Sequence, residues 1–194
     1  MPNVSQDTIT IVSGLPRSGT SMMMRMLEAG GIPALVDNIR TADEDNPRGY
    51  YEFEPVKKTK EDSSWLQTAG GNVVKMVYRL LYDLPRDRTY HVVFMQRHLA
   101  EVVRSQDVML GRRGRDSGAM SKDKLIALFQ KQLSEFDEWV KKQPHFRIIY
   151  VNYNDMLRDA QPAIKVVNEF LGGGLNTDAM TKVVEPSLYR QRAE

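Results

Sequence analysis

The run Thr8-Ile-Thr-Ile-Val-Ser13 passes directly into Gly14-Leu-Pro-Arg-Ser-Gly-Thr-Ser21, and this junction constrains the chain more than any other segment. A short β-branched run bounded by glycine reads as a buried strand. From Ser18 to Ala29 the residues favour a helix: Met22, Met23, Met24 and Met26 are good helix formers, and Gly30-Gly31 stops it. A strand, a glycine-bearing loop and a helix in succession aim backbone amides and a helix dipole at one spot, which favours an anion.

In the nucleotide-triphosphatase P-loop, two glycines five positions apart precede a lysine and a Ser or Thr. Gly14 and Gly19 keep that spacing and Ser21 takes the hydroxyl position, but Thr20 stands where the lysine belongs and Arg17 lies inside the loop. The amides of Arg17 to Ser21 can face one anion, and Ser18, Thr20 and Ser21 add hydroxyl donors. The absent lysine is the one that reaches the β and γ phosphates of ATP. The loop therefore suits a nucleotide with a single 5′-phosphate bearing a smaller leaving group. The alternative is a tight turn whose glycines serve the backbone alone.

The rest of the chain supports an α/β domain. Strands are expected at Asn72 to Met76, Tyr90 to Met95 and Phe146 to Val151, and helices at Pro55 to Trp65, Leu99 to Leu110, Ser121 to Lys142 and Gln161 to Leu171. Ser121 reads as the N-cap of the long amphipathic helix. The alternation predicts a three-layer sandwich, a central mostly parallel sheet flanked by helices, of the P-loop nucleotide-binding type. With 194 residues, residues 1–194 form one domain, large enough to bury roughly 70% of its unfolded surface. The chain has no cysteine, which excludes disulfides, thiolate metal sites and a cysteine nucleophile. Lys plus Arg exceed Asp plus Glu by 27 to 25, too slight a balance for a nucleic-acid field. The N-terminus lacks signal-peptide regions, and no apolar run approaches the ~20 residues of a membrane span. A cytoplasmic protein is expected.

Pro16-Arg17-Ser18-Gly19-Thr20-Ser21 resembles the 5′-phosphosulfate loop of sulfotransferases that use 3′-phosphoadenosine 5′-phosphosulfate, PAPS. The resemblance implies that Arg17 contacts the bridging oxygen and the transferring sulfuryl group, while Ser18, Gly19, Thr20 and Ser21 hold the 5′-phosphate. Val92-Val-Phe-Met-Gln-Arg97, followed by Ser105, is similar to the family's strand ending in Arg with a Ser on the next helix. It implies that Arg97 and Ser105 hold the 3′-phosphate. Taken alone, Arg97 also suits a surface ion pair with Glu101, and Ser105 an ordinary helix position. Tyr150-Val-Asn-Tyr-Asn-Asp-Met-Leu157 resembles the family's strand ending in Tyr-Glu-Asp-Met, which implies that Tyr153 lies against the adenine. Packing at a strand end is the alternative for Tyr153. Met22 stands where cytosolic members place an adenine-side Trp, although core packing is the simpler role for these methionines.

Val74-Lys75-Met76 falls where the family has a strand ending in Lys-Thr-His, so the resemblance implies that Lys75 reaches the sulfuryl oxygens. The family histidine would align near Val77 and is absent; His91, His98 and His145 do not replace it. A glutamate base is expected instead. Asn46-Pro-Arg-Gly-Tyr-Tyr-Glu-Phe-Glu54 resembles a segment of bacterial sulfotransferase-like proteins. Two aromatics beside a carboxylate desolvate it, which favours proton acceptance. Glu52 is the first choice and Glu54 the second; Glu52 could instead cap a helix near Pro55 or pair with Arg48.

Arg112, Arg113 and Arg115 form a basic loop that either closes over the nucleotide or is simply solvated. Ser187 to Arg192 resembles the family's closing segment, where Arg190 or Arg192 would replace an Arg-Lys-Gly element. The expected activity is metal-independent sulfuryl transfer from PAPS to a hydroxyl or amine of a small-molecule, carbohydrate or other hydroxyl-bearing acceptor. The competing readings are a P-loop small-molecule kinase or NTPase and a non-catalytic nucleotide-binding protein. So short a chain points to an open site or one completed by a second subunit in a homodimer.

Overall fold

The computed structural model describes residues 8–37, 39, 49–112, 114 and 120–184. Thr8–Gly14 forms strand β1, buried at every residue after the first. Its β-branched side chains suit a pleated surface packed on both faces. Val73–Lys75 (β2), Thr89–Gln96 (β3) and Phe146–Asn152 (β4) complete a four-stranded sheet of order β2-β1-β3-β4. Every pairing is parallel, so the expected "mostly parallel" sheet is wholly parallel among the described residues.

The helices are α1 (Thr20–Ala29), α2 (Leu99–Arg112), α3 (Lys122–Val140), α4 (Tyr153–Arg158), α5 (Gln161–Phe170) and α6 (Thr177–Val183). One face of the sheet packs Val12, Val93 and Val151 against Met23, Met24, Met26 and Leu27 of α1, Ile164 and Val167 of α5, and Met180 of α6. The other packs Ile9, Ile11, Val92 and Phe94 against Val102 of α2 and Phe136 and Val140 of α3. Burying each large apolar side chain stabilises by about 1.5–3 kcal/mol, so both layers are held mainly by these faces. The methionines of α1 are core residues, as their softness suggests.

The expected helix from Pro55 to Trp65 does not form. Glu54–Lys58 and Ser64–Gln67 are separate 3₁₀ turns. Asp62 breaks the run between them, its carboxylate accepting from Ser64 N–H at 2.9 Å, a local bond that competes with helix. Helix α2 runs past its expected end at Leu110, since Gly111 and Arg112 close it, so Arg112 is helical rather than part of the basic loop. Helix α3 starts as expected, with Ser121 Oγ accepting from Lys124 N–H at 3.4 Å. The short α4 and α6 carried no periodic signal, being under two or so turns; each is capped by an asparagine side chain, Asn152 and Asn176.

The register sets Gly14 opposite Met95, and Gln96 opposite Asn152. Three strands thus end level, and the segments after them, 15–19, 97–98 and 153–154, converge. The chain steps from β1 to β2 on one side and then returns past β1 to β3. The crevice at the carboxyl ends of β1 and β3 is therefore the switch point at which open α/β sheets bind ligands.

Candidate functional site

The loop after β1 is shaped by three residues with positive φ. Gly14 has φ 145°, and a Cβ there would lie 2.6 Å from the Met95 carbonyl oxygen. Arg17, with φ 73°, is one of two described non-glycine residues in the left-handed region, a conformation that a side chain adopts only when its surroundings hold it. Gly19, with φ 96°, is the N-cap of α1 and provides no side-chain cap. No cap side chain therefore stands at the start of α1, where the helix dipole favours an anion. Ser18 is 1% exposed, and its hydroxyl donates to the Leu15 carbonyl at 2.7 Å. Its single proton closes the turn, rather than pointing into the cradle as the sequence suggested. Pro16 is exposed at the mouth, its carbonyl accepting from Gln106 Nε2 at 3.4 Å. Thr20 begins α1 and Ser21 follows, its hydroxyl donating to the Tyr50 carbonyl at 3.3 Å.

The second group comes from β3, α2 and α4. Arg17 Nε–H donates to Ser105 Oγ at 2.9 Å. Arg97 follows β3; its Nη1 donates to the Arg17 carbonyl at 3.1 Å and its Nε to Glu101 at 2.8 Å. The Arg97 guanidinium carbon lies 4.8 Å from the centroid of the Tyr153 ring. That ring also walls the loop, since a Cβ on Gly19 would come within 2.3 Å of it. Arg17, Gly19, Arg97, Ser105 and Tyr153 are therefore one constellation. The Arg97–Glu101 pair exists, but not at the surface: the side chains are 8% and 1% exposed. Beside this group, a cavity of about 290 Å³ is lined by Leu15, Ser18, Gln96, Arg97, His98 and Asn152 among others.

Lys75 approaches from the end of β2. Its Nζ donates to Ser21 Oγ at 3.4 Å and to the Tyr50 carbonyl. The segment after Gly49 is thereby tied to α1, and Tyr51 adds a hydroxyl bond to Glu28 at 2.6 Å. Burial, reinforced by the Glu28 carboxylate, pushes the Tyr51 phenol up to about 12. Glu52 is half-buried, its carboxylate 3.9 Å from Lys57 Nζ; Glu54 pairs with the same lysine. Neither caps a helix at Pro55: Phe53 is the N-cap of that 3₁₀ turn, without a side-chain bond.

Burial and the nearby Arg147 hold His91 below its usual pKa, and burial and Arg86 do the same to His145. His98 begins the segment after Arg97, its amide donating to Asn154 Oδ1 at 3.2 Å. Val77, at the family histidine's position, is exposed. Arg48, Arg113, Arg115, Arg190 and Arg192 lie outside the described residues. Among the described residues no cluster of His, Cys, Asp or Glu could hold a metal ion, and no helix is long and apolar enough to cross a membrane. Asn154, 4% exposed with its amide on both Glu101 oxygens, was missed by sequence reasoning. Nothing in the sequence signals it, because it meets Glu101 only through the β3–β4 pairing.

The sulfotransferase-domain family model matches residues 120–191, a segment that contains Tyr153 and begins after the loop, Arg97 and Ser105. No curated protein matches the chain in sequence. Among solved structures, the sulfotransferase domain from the Synechococcus PCC 7002 olefin synthase is similar with TM-score 0.52 and 14% identity, over 96% of this chain and 83% of that one. The sulfotransferase domain from the curacin biosynthetic pathway aligns with TM-score 0.49 and 16% identity, over 96% and 78% of the two chains. Retinol dehydratase in complex with androsterone and the inactive cofactor PAP gives 0.48 and 15%, over 94% and 64%. The matched segment is thus similar to the sulfotransferase domain, and the olefin-synthase domain shows that the chain has the corresponding fold.

Proposed function

We propose that the chain transfers a sulfuryl group from PAPS to a hydroxyl or amine of a small acceptor. The observation that carries this reading is the contact of Arg17 with Ser105, which joins the first-loop cradle to the helix after β3 at the sheet's switch point. A donor with anions at both its 5′ and 3′ ends needs two such sites side by side. The residues present fit it: an N-terminal helix turn without a side-chain cap, Arg17, and Lys75 at the cradle's edge. When bound there, PAPS supplies an activated sulfuryl group whose bond to the bridging oxygen breaks as the acceptor bonds to sulfur.

Each role then falls to a residue of this chain. The amides of Gly19, Thr20 and Ser21 hold the 5′-phosphate. Arg17 and Lys75 neutralise charge that develops on the bridging and equatorial oxygens, as fixed cations do in related group transfers. Ser105 and Arg97 face the 3′-phosphate, with Tyr153 beside the adenine. Glu52 accepts the acceptor's proton. Thr20 in place of the P-loop lysine argues against ATP as the donor.

Thermal unfolding with adenosine 3′,5′-bisphosphate against ATP–Mg²⁺ tests the proposal. A ligand at a hundred times its Kd stabilises by about 2.7 kcal/mol, so the bisphosphate raises the midpoint by several degrees and ATP–Mg²⁺ does not. Stabilisation by ATP–Mg²⁺ alone would overturn the reading in favour of a kinase or NTPase. Bisphosphate binding without transfer to any acceptor would leave a nucleotide-binding protein.

A further inference from the structure

The most deeply buried charge near the loop is Glu101, in the first turn of α2 and 1% exposed. Its carboxylate accepts from Arg97 Nε at 2.8 Å and from Asn154 Nδ2 at 3.1 and 3.0 Å on its two oxygens. Asn154 is fixed in turn, since its Oδ1 accepts from the His98 amide at 3.2 Å. On the other side, Arg97 donates to the Arg17 carbonyl and lies over Tyr153, the ring against which Gly19 packs. The contacts therefore run from a buried carboxylate to Arg17 and Gly19, two of the three positive-φ residues that shape the loop.

A carboxylate withdrawn from water is costly, and an apolar pair of similar volume often stabilises as well. What a charged pair adds is direction. A guanidinium is planar, so a carboxylate on Nε fixes its rotation as well as its place. With Nε on Glu101, Nη1 is aimed at the Arg17 carbonyl.

We propose that Glu101 is a positioning residue for the donor site. Together with Asn154 it fixes Arg97, and Arg97, through the Arg17 carbonyl, holds Arg17 in its left-handed conformation with Nε–H on Ser105. The purpose of this brace rests on the donor-binding reading above. Its existence does not.

The test pairs two readouts on Glu101→Gln: the Arg17 Nε–H resonance of ¹⁵N-arginine-labelled protein without ligand, and adenosine 3′,5′-bisphosphate affinity by calorimetry. In the folded variant the Arg17 resonance moves and exchanges faster with water. Affinity falls about tenfold, the scale of one charge-assisted hydrogen bond. Glu101→Asp, which keeps the charge, recovers part of both. A lower melting temperature with the Arg17 resonance and the affinity unchanged overturns the proposal. Should Glu101→Gln not fold, Asn154→Ser removes the amide bonds to Glu101 while leaving the carboxylate on Arg97, and the same shift of the Arg17 resonance is expected, with no shift again overturning it. If the wild-type protein binds no bisphosphate, the donor reading fails, and the Arg17 resonance alone decides whether the brace exists.

Discussion

Arg17 Nε–H donates to Ser105 Oγ at 2.9 Å, although the two residues stand 88 positions apart. The bond joins the loop after β1 to α2 across the mouth of the switch-point crevice. Ser105 is 5% exposed, and loss of its hydroxyl removes this bond from the Arg17 Nε–H. Ser105→Ala is expected to lower bisphosphate affinity about fivefold, or about 1 kcal/mol, with a smaller effect on melting temperature. Calorimetry on the two proteins checks this, and equal affinities would remove Ser105 from the site.

Gly19 tolerates no side chain. Its φ of 96° is strained for any L residue, and a Cβ would meet Tyr153 Cδ2 at 2.3 Å and Cε2 at 3.0 Å. Tyr153 cannot easily yield, because Arg97 lies over its ring. Gly19→Ala should destabilise by about 3 kcal/mol, combining backbone strain with overpacking. For a chain of this length that lowers the melting temperature by roughly 6–12 °C. In Gly19→Ala/Tyr153→Ala the steric part is relieved and the backbone part remains, so the double variant should be less destabilised than the two single changes added together.

The first loop was legible because its information is local: glycine spacing, a β-branched strand before it and a helix after it all lie within Thr8 to Ala29. The parallel sheet followed from strand-helix alternation for the same reason. Arg97 and Ser105 were legible as a pattern, and Glu101 as a partner of Arg97, but the bonds that tie both to Arg17 were not. Ser18 shows why: its hydroxyl was assigned to the ligand, yet a carbonyl three residues back takes its proton. Asn154 shows the other limit, since it reaches Glu101 only after β3 and β4 pair in register. The helix expected from Pro55 to Trp65 failed where the Asp62 side chain offered the backbone a local alternative.

Lys75 Nζ sits on the Ser21 hydroxyl and the Tyr50 carbonyl, between the cradle and the segment that carries Glu52. If it stabilises charge on the transferring group, Lys75→Met should lower the transfer rate about 100-fold while bisphosphate affinity changes far less, because the bisphosphate lacks the sulfuryl group. A parallel loss in both would make Lys75 a binding or structural residue. Glu52→Gln should also lower the rate about 100-fold or more, with bisphosphate affinity intact. Full activity in that variant would move the base to Glu54 or elsewhere.

The Tyr51 phenol is held up at about 12 by burial first and by its bond to Glu28 second. A tyrosine with a folded pKa above its unfolded value of about 10 favours the neutral form in the fold. Its contribution to stability is thus complete below about pH 10 and is lost as the pH rises through about 12. Tyr51→Phe should flatten that alkaline decline, seen in denaturant midpoints measured from neutral to alkaline pH. Glu28→Gln should lower the Tyr51 pKa only in part, because burial remains. The ¹³Cζ tyrosine resonance, assigned by its disappearance in Tyr51→Phe, reports it directly. Titration near 10 in the wild-type protein would mean that Tyr51 is not docked on α1, and that the segment bearing Glu52 is held by Lys75 and Ser21 without it.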